Sequence, residues 1–251
     1  MPVSFFKRDR KKLLFLGLLL ALSGCAVMDP LKTWDNGSTL AVCFVDPAPV
    51  GIRQRIAAAA AEWTRWANLT FDFGDPPAPR MCDTARVYDI TIGFGRDGSA
   101  SLVGIDSRDK VPSMNLGHFD DPTNAALQDP REFNRIVLHE FGHAIGLEHE
   151  FQSPNGMCNA KLDWDKARAF YRQHMGWSGA DVDSNLKTIN THGRSLLVSP
   201  YDVKSIMQYA LPAEVFSDGT ADPCYTARTY ELSPTDKIWV GRMYPKSAAG
   251  T

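Results

Sequence analysis

Three histidines in the order His139-Glu140-x-x-His143-x-x-Gly146-x-x-His149 constrain this chain more than anything else in it. The first two stand four residues apart, which on a helix puts both imidazoles on one face and lets them reach a single metal ion at about 2.0–2.1 Å, the zinc–nitrogen distance. A third imidazole on the next turn of the same helix would overshoot that ion, so the chain has to turn back. Gly146 supplies the turn, because a residue without a Cβ enters the left-handed conformation that ends a helix at no steric cost. His149 then comes round beneath the ion. Three protein ligands and one open position are the arrangement of a catalytic zinc site. Glu140 stands beside the pair, near enough to take a proton from water held there without being a ligand. One zinc ion is therefore expected on His139, His143 and His149, with Glu140 as general base. His118, His174 and His192 have no partners at such spacing and read as ordinary capping or packing residues.

The helix carrying the pair has a legible start. Asp129 is a cap, Pro130 fits the first helical position, and Glu132 completes a capping box. At about 100° per residue, Val137, Phe141 and Ala144 fall on one side and His139 and His143 roughly opposite, so the histidines are expected to face away from the core. Elsewhere, 52–66 reads as an alanine-rich helix, and 40–45, 69–73 and 87–94 read as strands. Shorter strand candidates lie at 101–105 and 112–116.

With 251 residues, 44% of them hydrophobic and 22% charged, the chain has material for a sizeable core in one or two domains and is too apolar to stay disordered. Its 27 Lys and Arg against 29 Asp and Glu leave a formal net charge of −2, so nucleic acid is not an expected partner. The charge is uneven. Residues 1–24 hold five basic side chains and one acidic, and without them the balance is 22 against 28, a net of −6. That basic start runs into an apolar stretch at 13–22, the pattern of a secretory signal and too short to span a bilayer comfortably. Leu22-Ser23-Gly24-Cys25 then resembles the bacterial lipobox, in which the cysteine sulfur receives a diacylglycerol and cleavage falls just before it. The expected division is a lipoprotein signal at 1–24, a lipid-anchored tether at 25–39 with no room for an inhibitory pro-domain, and a folded domain at 40–247. Ala26 follows the cysteine and nothing there resembles an inner-membrane retention signal. The expected location is therefore the bacterial cell envelope, on the periplasmic face of the outer membrane where there are two membranes.

Cys43, Cys82, Cys158 and Cys224 remain, an even number in an exported chain, so two disulfides are expected. Three pairings are open, of which Cys43 with Cys82 and Cys158 with Cys224 gives the shortest total loop length. None of the four sits in a close pair, which disfavours a cysteine zinc site.

The long zinc motif, HEFGHAIGLEHE, resembles that of the metzincin clan of zinc endopeptidases, and within it the astacin-like family, where a glutamate such as Glu150 follows the third histidine. Residues 201–209, YDVKSIMQY, resemble the Met-turn of that family. The resemblance implies that Met207 forms a hydrophobic floor beneath the zinc and that Tyr209 binds the metal and then stabilises the oxyanion. Trp34-x-x-Gly37, the edge strand at 101–104 and Leu232-Ser233-Pro234-Thr235-Asp236 opening a last helix extend the likeness loosely over 34–245. It implies an α+β fold, a metzincin-like domain with a twisted mixed sheet, an active-site helix and a cleft near Gly146. Two departures stand out. Gln208 occupies the place of the usual histidine between Met and Tyr, and Phe151-Gln152-Ser153-Pro154 replaces the arginine- and aspartate-rich continuation of animal members, so specificity is not carried over.

The activity implied is hydrolysis of a peptide bond in a protein or peptide substrate paired along the edge strand, by a monomer tethered to the membrane through Cys25. The competing readings are a non-catalytic envelope protein that uses zinc structurally, for which Glu140 would be dispensable, and a zinc hydrolase acting on cell-wall peptides.

Overall fold

The computed structural model describes residues 27–193, 195–198 and 200–247; the leader at 1–24 and Cys25 lie outside them. The fold is α+β. Two apolar strands, β2 (Thr39–Phe44) and β4 (Ile90–Gly93), form the middle of a five-stranded sheet, and their inward residues Leu40, Val42, Phe44, Ile90 and Ile92 are fully buried. Together with β3 (Thr70–Asp72), β5 (Ala100–Ser101) and β6 (Met114–Asn115) they give the order β3-β2-β4-β6-β5. The pairs β2/β3, β2/β4 and β4/β6 are parallel, with Val42 opposite Ile90 and Ile92 opposite Met114. Only β5 runs antiparallel, at the edge, with Ser101 opposite Met114.

Two long helices, α1 (Val50–Thr64) and α3 (Pro130–Ala144), the latter preceded by the short α2 (Ala125–Gln128), pack on one another and on the sheet. Trp63 on α1 is fully buried and donates its indole N–H to the Leu138 carbonyl of α3 at 2.9 Å, so the contact is polar as well as apolar. α6 (Pro234–Met243) adds Val240, and Tyr244 just beyond it, to this first core. A second core lies after Gly146, where Phe151, Leu162, Ala167 and Tyr171 meet Val182, Leu186 and Phe216 under α4 (Trp164–Met175) and α5 (Gly179–Leu186). The disulfides are Cys43–Cys82, which ties β2 to the loop before β4, and Cys158–Cys224 in the second core, the pairing of shortest total loop length. No helix among the described residues is long and apolar enough to cross a membrane.

Two readings of the sequence change. The strand expected over 101–105 is confined to Ala100–Ser101, because the chain turns into a short 3-10 helix at Gly104–Ser107 packed on another at Pro30–Lys32. The stretch read as a tether, 25–39, is from Val27 onward part of the folded body: β1 (Val27–Met28) pairs antiparallel with β7 (Leu197–Val198), and both of its residues are buried. A two-residue strand whose partner lies far along the chain leaves no local periodicity to read.

Candidate active site

Asp129 caps α3 by accepting from the Arg131 N–H at 2.9 Å, and Pro130 begins the helix. Glu132 does not close a capping box. Its carboxylate is taken by Arg135, at 2.8 and 3.1 Å, and by Arg228, at 3.2 Å, because two guanidinium groups outcompete one backbone N–H. The far end of α3 is held from outside. The Trp34 indole donates to the Ala144 carbonyl at 2.8 Å and the Tyr244 hydroxyl to that of Ile145 at 2.8 Å, so helix-end carbonyls find partners just before the turn. Gly146 then takes φ +105°, in the region that favours glycine, and the chain reverses.

The histidines do not face solvent. From Leu138 to Ala144 every residue of α3 is buried, since one side of the helix meets the first core and the other the Met207 and His149 segments. His139 Nδ1 bonds the Ile206 carbonyl at 2.9 Å and His143 Nδ1 that of Leu147 at 2.7 Å. Each carbonyl only accepts, so each Nδ1 carries the hydrogen and each Nε2 keeps its lone pair. His149 Nδ1 faces the Gln152 Oε1 at 3.2 Å and is in the same state. One ligand atom from each of His139, His143 and His149 lies within 4.8 Å of the others, and the Nε2 atoms of His143 and His149 are 3.0 Å apart. Two lone pairs at that distance repel, whereas two nitrogens bound to one tetrahedral zinc at about 2.0–2.1 Å stand roughly 3.3 Å apart. The donor set and its spacing therefore fit zinc. No other group of three such ligands occurs among the described residues. Outside it, His118 pairs with Asp97, His174 bonds the Phe170 carbonyl, and His192 bonds Asn190.

Burial sets the electrostatics. It pushes the His139 imidazole down to about 3, helped by His143, and His143 down to about 4. Glu140 is buried with its Oε2 unbonded, and burial pushes its carboxyl up to about 8 while the Arg135 charge pulls the other way. Tyr209 lies against His149, ring centroids 4.3 Å apart, with its hydroxyl 3.2 Å from Nδ1 and donating to Asn185 Oδ1 at 3.3 Å. Burial, more than the nearby Glu140, holds that phenol well above its ordinary value. Met207 packs its sulfur on Gly142 in the middle of the zinc motif. Gln208 donates to the Tyr201 hydroxyl, and Glu150 accepts from the Asp202 N–H at 3.0 Å, which ties the end of the zinc motif to the segment leading to Met207.

Three supporting residues escape sequence reasoning. Asp236 accepts from the Ser205 hydroxyl at 2.6 Å and the Ile206 N–H at 2.9 Å, tying α6 to the segment that carries Met207. The Ser233-x-x-Asp236 pattern announces the helix start but not this reach. Gln152 and Asn185 carry no signal, since neither falls in a motif with a chemical reason.

The family model of the astacin peptidases matches residues 27–236. Among solved structures, myroilysin is 31% identical with a TM-score of 0.73, covering 88% of this chain and 100% of that one. High choriolytic enzyme 1, a hatching enzyme zinc-protease from the medaka fish Oryzias latipes, has a TM-score of 0.52 over 85% of this chain and 92% of its own, and at 16% identity it is a likeness of fold alone. Two proteins of Caenorhabditis elegans are similar in sequence. Matrix metalloproteinase-C is 25% identical over 198 residues, 67% of this chain and 31% of that protein, and zinc metalloproteinase nas-38 is 22% identical over 178 residues, 71% of this chain and 20% of that protein. The chain thus spans a third or less of the length of these curated relatives. By the match over most of its sequence, it belongs to the astacin family of peptidases.

Proposed function

We propose that the chain is a zinc-dependent endopeptidase in which Glu140 is the general base. The observation that carries this is the convergence of three neutral imidazoles beside a buried carboxylate oxygen with no bonding partner. Zinc held by His139, His143 and His149 would polarise the scissile carbonyl and acidify a water molecule. Glu140 takes the proton of the attacking water and passes it to the leaving amine. Burial raises its pKa, which strengthens it as a base towards that water. The Tyr209 hydroxyl must turn from Asn185 towards the cleft, where it stabilises the oxyanion. An extended substrate adds to the free edge of β5, which satisfies its backbone and leaves its side chains to probe pockets.

We also propose Cys25 as a lipid attachment site, from Leu22-Ser23-Gly24-Cys25 behind an apolar run. Val27 is buried, so Ala26 alone separates such an anchor from the folded body, about 7 Å of chain at most. The body would be held against the bilayer. An unmodified Cys25 in the mass spectrum of the mature protein would refute the anchor and leave the enzyme untouched.

The deciding experiment is cleavage of an unstructured protein by the zinc-loaded chain beside Glu140→Gln. Loss of about 10²–10⁴-fold in kcat with zinc still bound is the expected result. Equal, absent cleavage by both would favour a non-catalytic zinc protein. Cleavage of cell-wall peptides alone would narrow the substrate class.

A further inference from the structure

The three zinc-site histidines are oriented by different means. His139 and His143 donate Nδ1–H to backbone carbonyls, which no substitution removes, but His149 donates to a side chain, Gln152. The Gln152 amide is itself clamped. Its Nε2 donates to the Ser184 carbonyl at 2.9 Å and to the Lys187 carbonyl at 3.1 Å, and its backbone carbonyl accepts from the Ile189 N–H at 3.0 Å. Turned the other way, the amide oxygen would face two acceptors, so only one orientation is permitted, and it points Oε1 at His149. The chain on either side of Lys187 is fixed in turn. Asn159, next to the Cys158–Cys224 bridge, donates to the Leu186 carbonyl at 2.9 Å and accepts from the Thr188 N–H at 2.7 Å.

We propose that Gln152 is the positioning residue of the third ligand: clamped by the end of α5, it holds the His149 ring with Nδ1 protonated and Nε2 aimed at the metal. This rests on the zinc site described above. Tyr209 stands equally close to Nδ1 and its hydroxyl oxygen is free to accept the same hydrogen, but the hydroxyl must swing away to reach the oxyanion, so it is not a fixed anchor.

The test measures zinc affinity of the full chain by competition with a chromophoric chelator, and the His149 Nδ1–H signal by imidazole NMR of the zinc-loaded form. Gln152→Met keeps the side-chain bulk and removes the acceptor, and Gln152→Ala serves if the longer chain repacks. Both should weaken zinc binding by about 10–100-fold and abolish the Nδ1–H signal. Gln152→Met also strips a donor from the Ser184 and Lys187 carbonyls, so the thermal unfolding midpoint of the zinc-free form should fall, but a merely structural residue would lower that midpoint and spare both the affinity and the Nδ1–H signal. Tyr209→Phe, with Gln152 intact, should keep the Nδ1–H signal. Affinity within threefold of the parent, or disappearance of the signal in Tyr209→Phe alone, overturns the proposal. Failure of the parent itself to bind zinc is a different result and strikes the site.

Discussion

At the scale of single residues, the zinc motif is tighter than its pattern of histidines suggests. Between Glu140 and His143 the sequence carries no signal, yet a Cβ at Gly142 would overlap the Met207 sulfur and stand 3.2 Å from both the Met207 methyl and the Trp63 ring. Glycine is needed there for space. Gly142→Ala should therefore destabilise the fold by about 1–3 kcal/mol, and Met207→Ala, which opens a cavity, by about 2–5 kcal/mol. Combined, the two should cost clearly less than their sum, because each relieves the other. Chemical unfolding of the three variants checks this, and strict additivity would show that the two side chains do not share the space. The residues that do chemistry were legible because zinc demands fixed ligand types at fixed spacing. Those that hold them in place were not. Gln152 and Asn185 act on one ring nitrogen and one hydroxyl, and any polar group arriving from any direction would serve, so no spacing betrays them.

At the scale of elements, the segment bearing Met207 is held by a helix that begins some thirty residues later in the chain. Asp236 closes the capping box of α6 with Ser233, and the same carboxylate accepts from Ser205 and Ile206. Asp236→Ala strands these donors and removes the cap, so unfolding free energy should fall by on the order of 3 kcal/mol. Burial pushes this carboxyl up to about 6, outweighing the donors that favour its charge. The folded protein then holds a proton that the unfolded chain, near 3.8, releases, and the stability this group contributes below that value is lost as pH rises through 6. The histidine cluster has the opposite sign, its depressed values making the fold weaker as pH falls. Subtracting the unfolding free energy of Asp236→Asn from that of the parent cancels the histidines. The difference should decline between about pH 4 and 6, and a flat or rising difference would refute the assignment. Element positions were readable wherever a period repeats, as in β2, β4 and α1. They failed at β1 and at the end of β5, where pairing with distant backbone decides and no local pattern records it.

At the scale of the whole molecule, the zinc ligands straddle two cores. His139 and His143 stand on α3, packed into the first, while His149 leads within two residues to Phe151, fully buried in the second. A metal held by all three adds to the ties the halves already share through β1 and β7, the Glu150–Met207 backbone bond and the turn at Gly146. Binding to the folded state alone stabilises it by mass action, about 2.7 kcal/mol at a free zinc concentration 100 times the dissociation constant. The melting temperature should thus rise with the logarithm of free zinc and fall on chelation. His143→Ala, which removes one ligand and should abolish stoichiometric zinc binding, should melt at a temperature independent of zinc. The sharper expectation concerns where the zinc-free protein loosens. Hydrogen exchange should quicken first in the turn at 145–149, in α5 and around Tyr209, while β2 and β4 remain protected, because the strands owe their burial to the first core alone. If exchange in β2 and β4 rose in step with α5 on zinc removal, the two cores would be one cooperative unit and the metal no bridge between them.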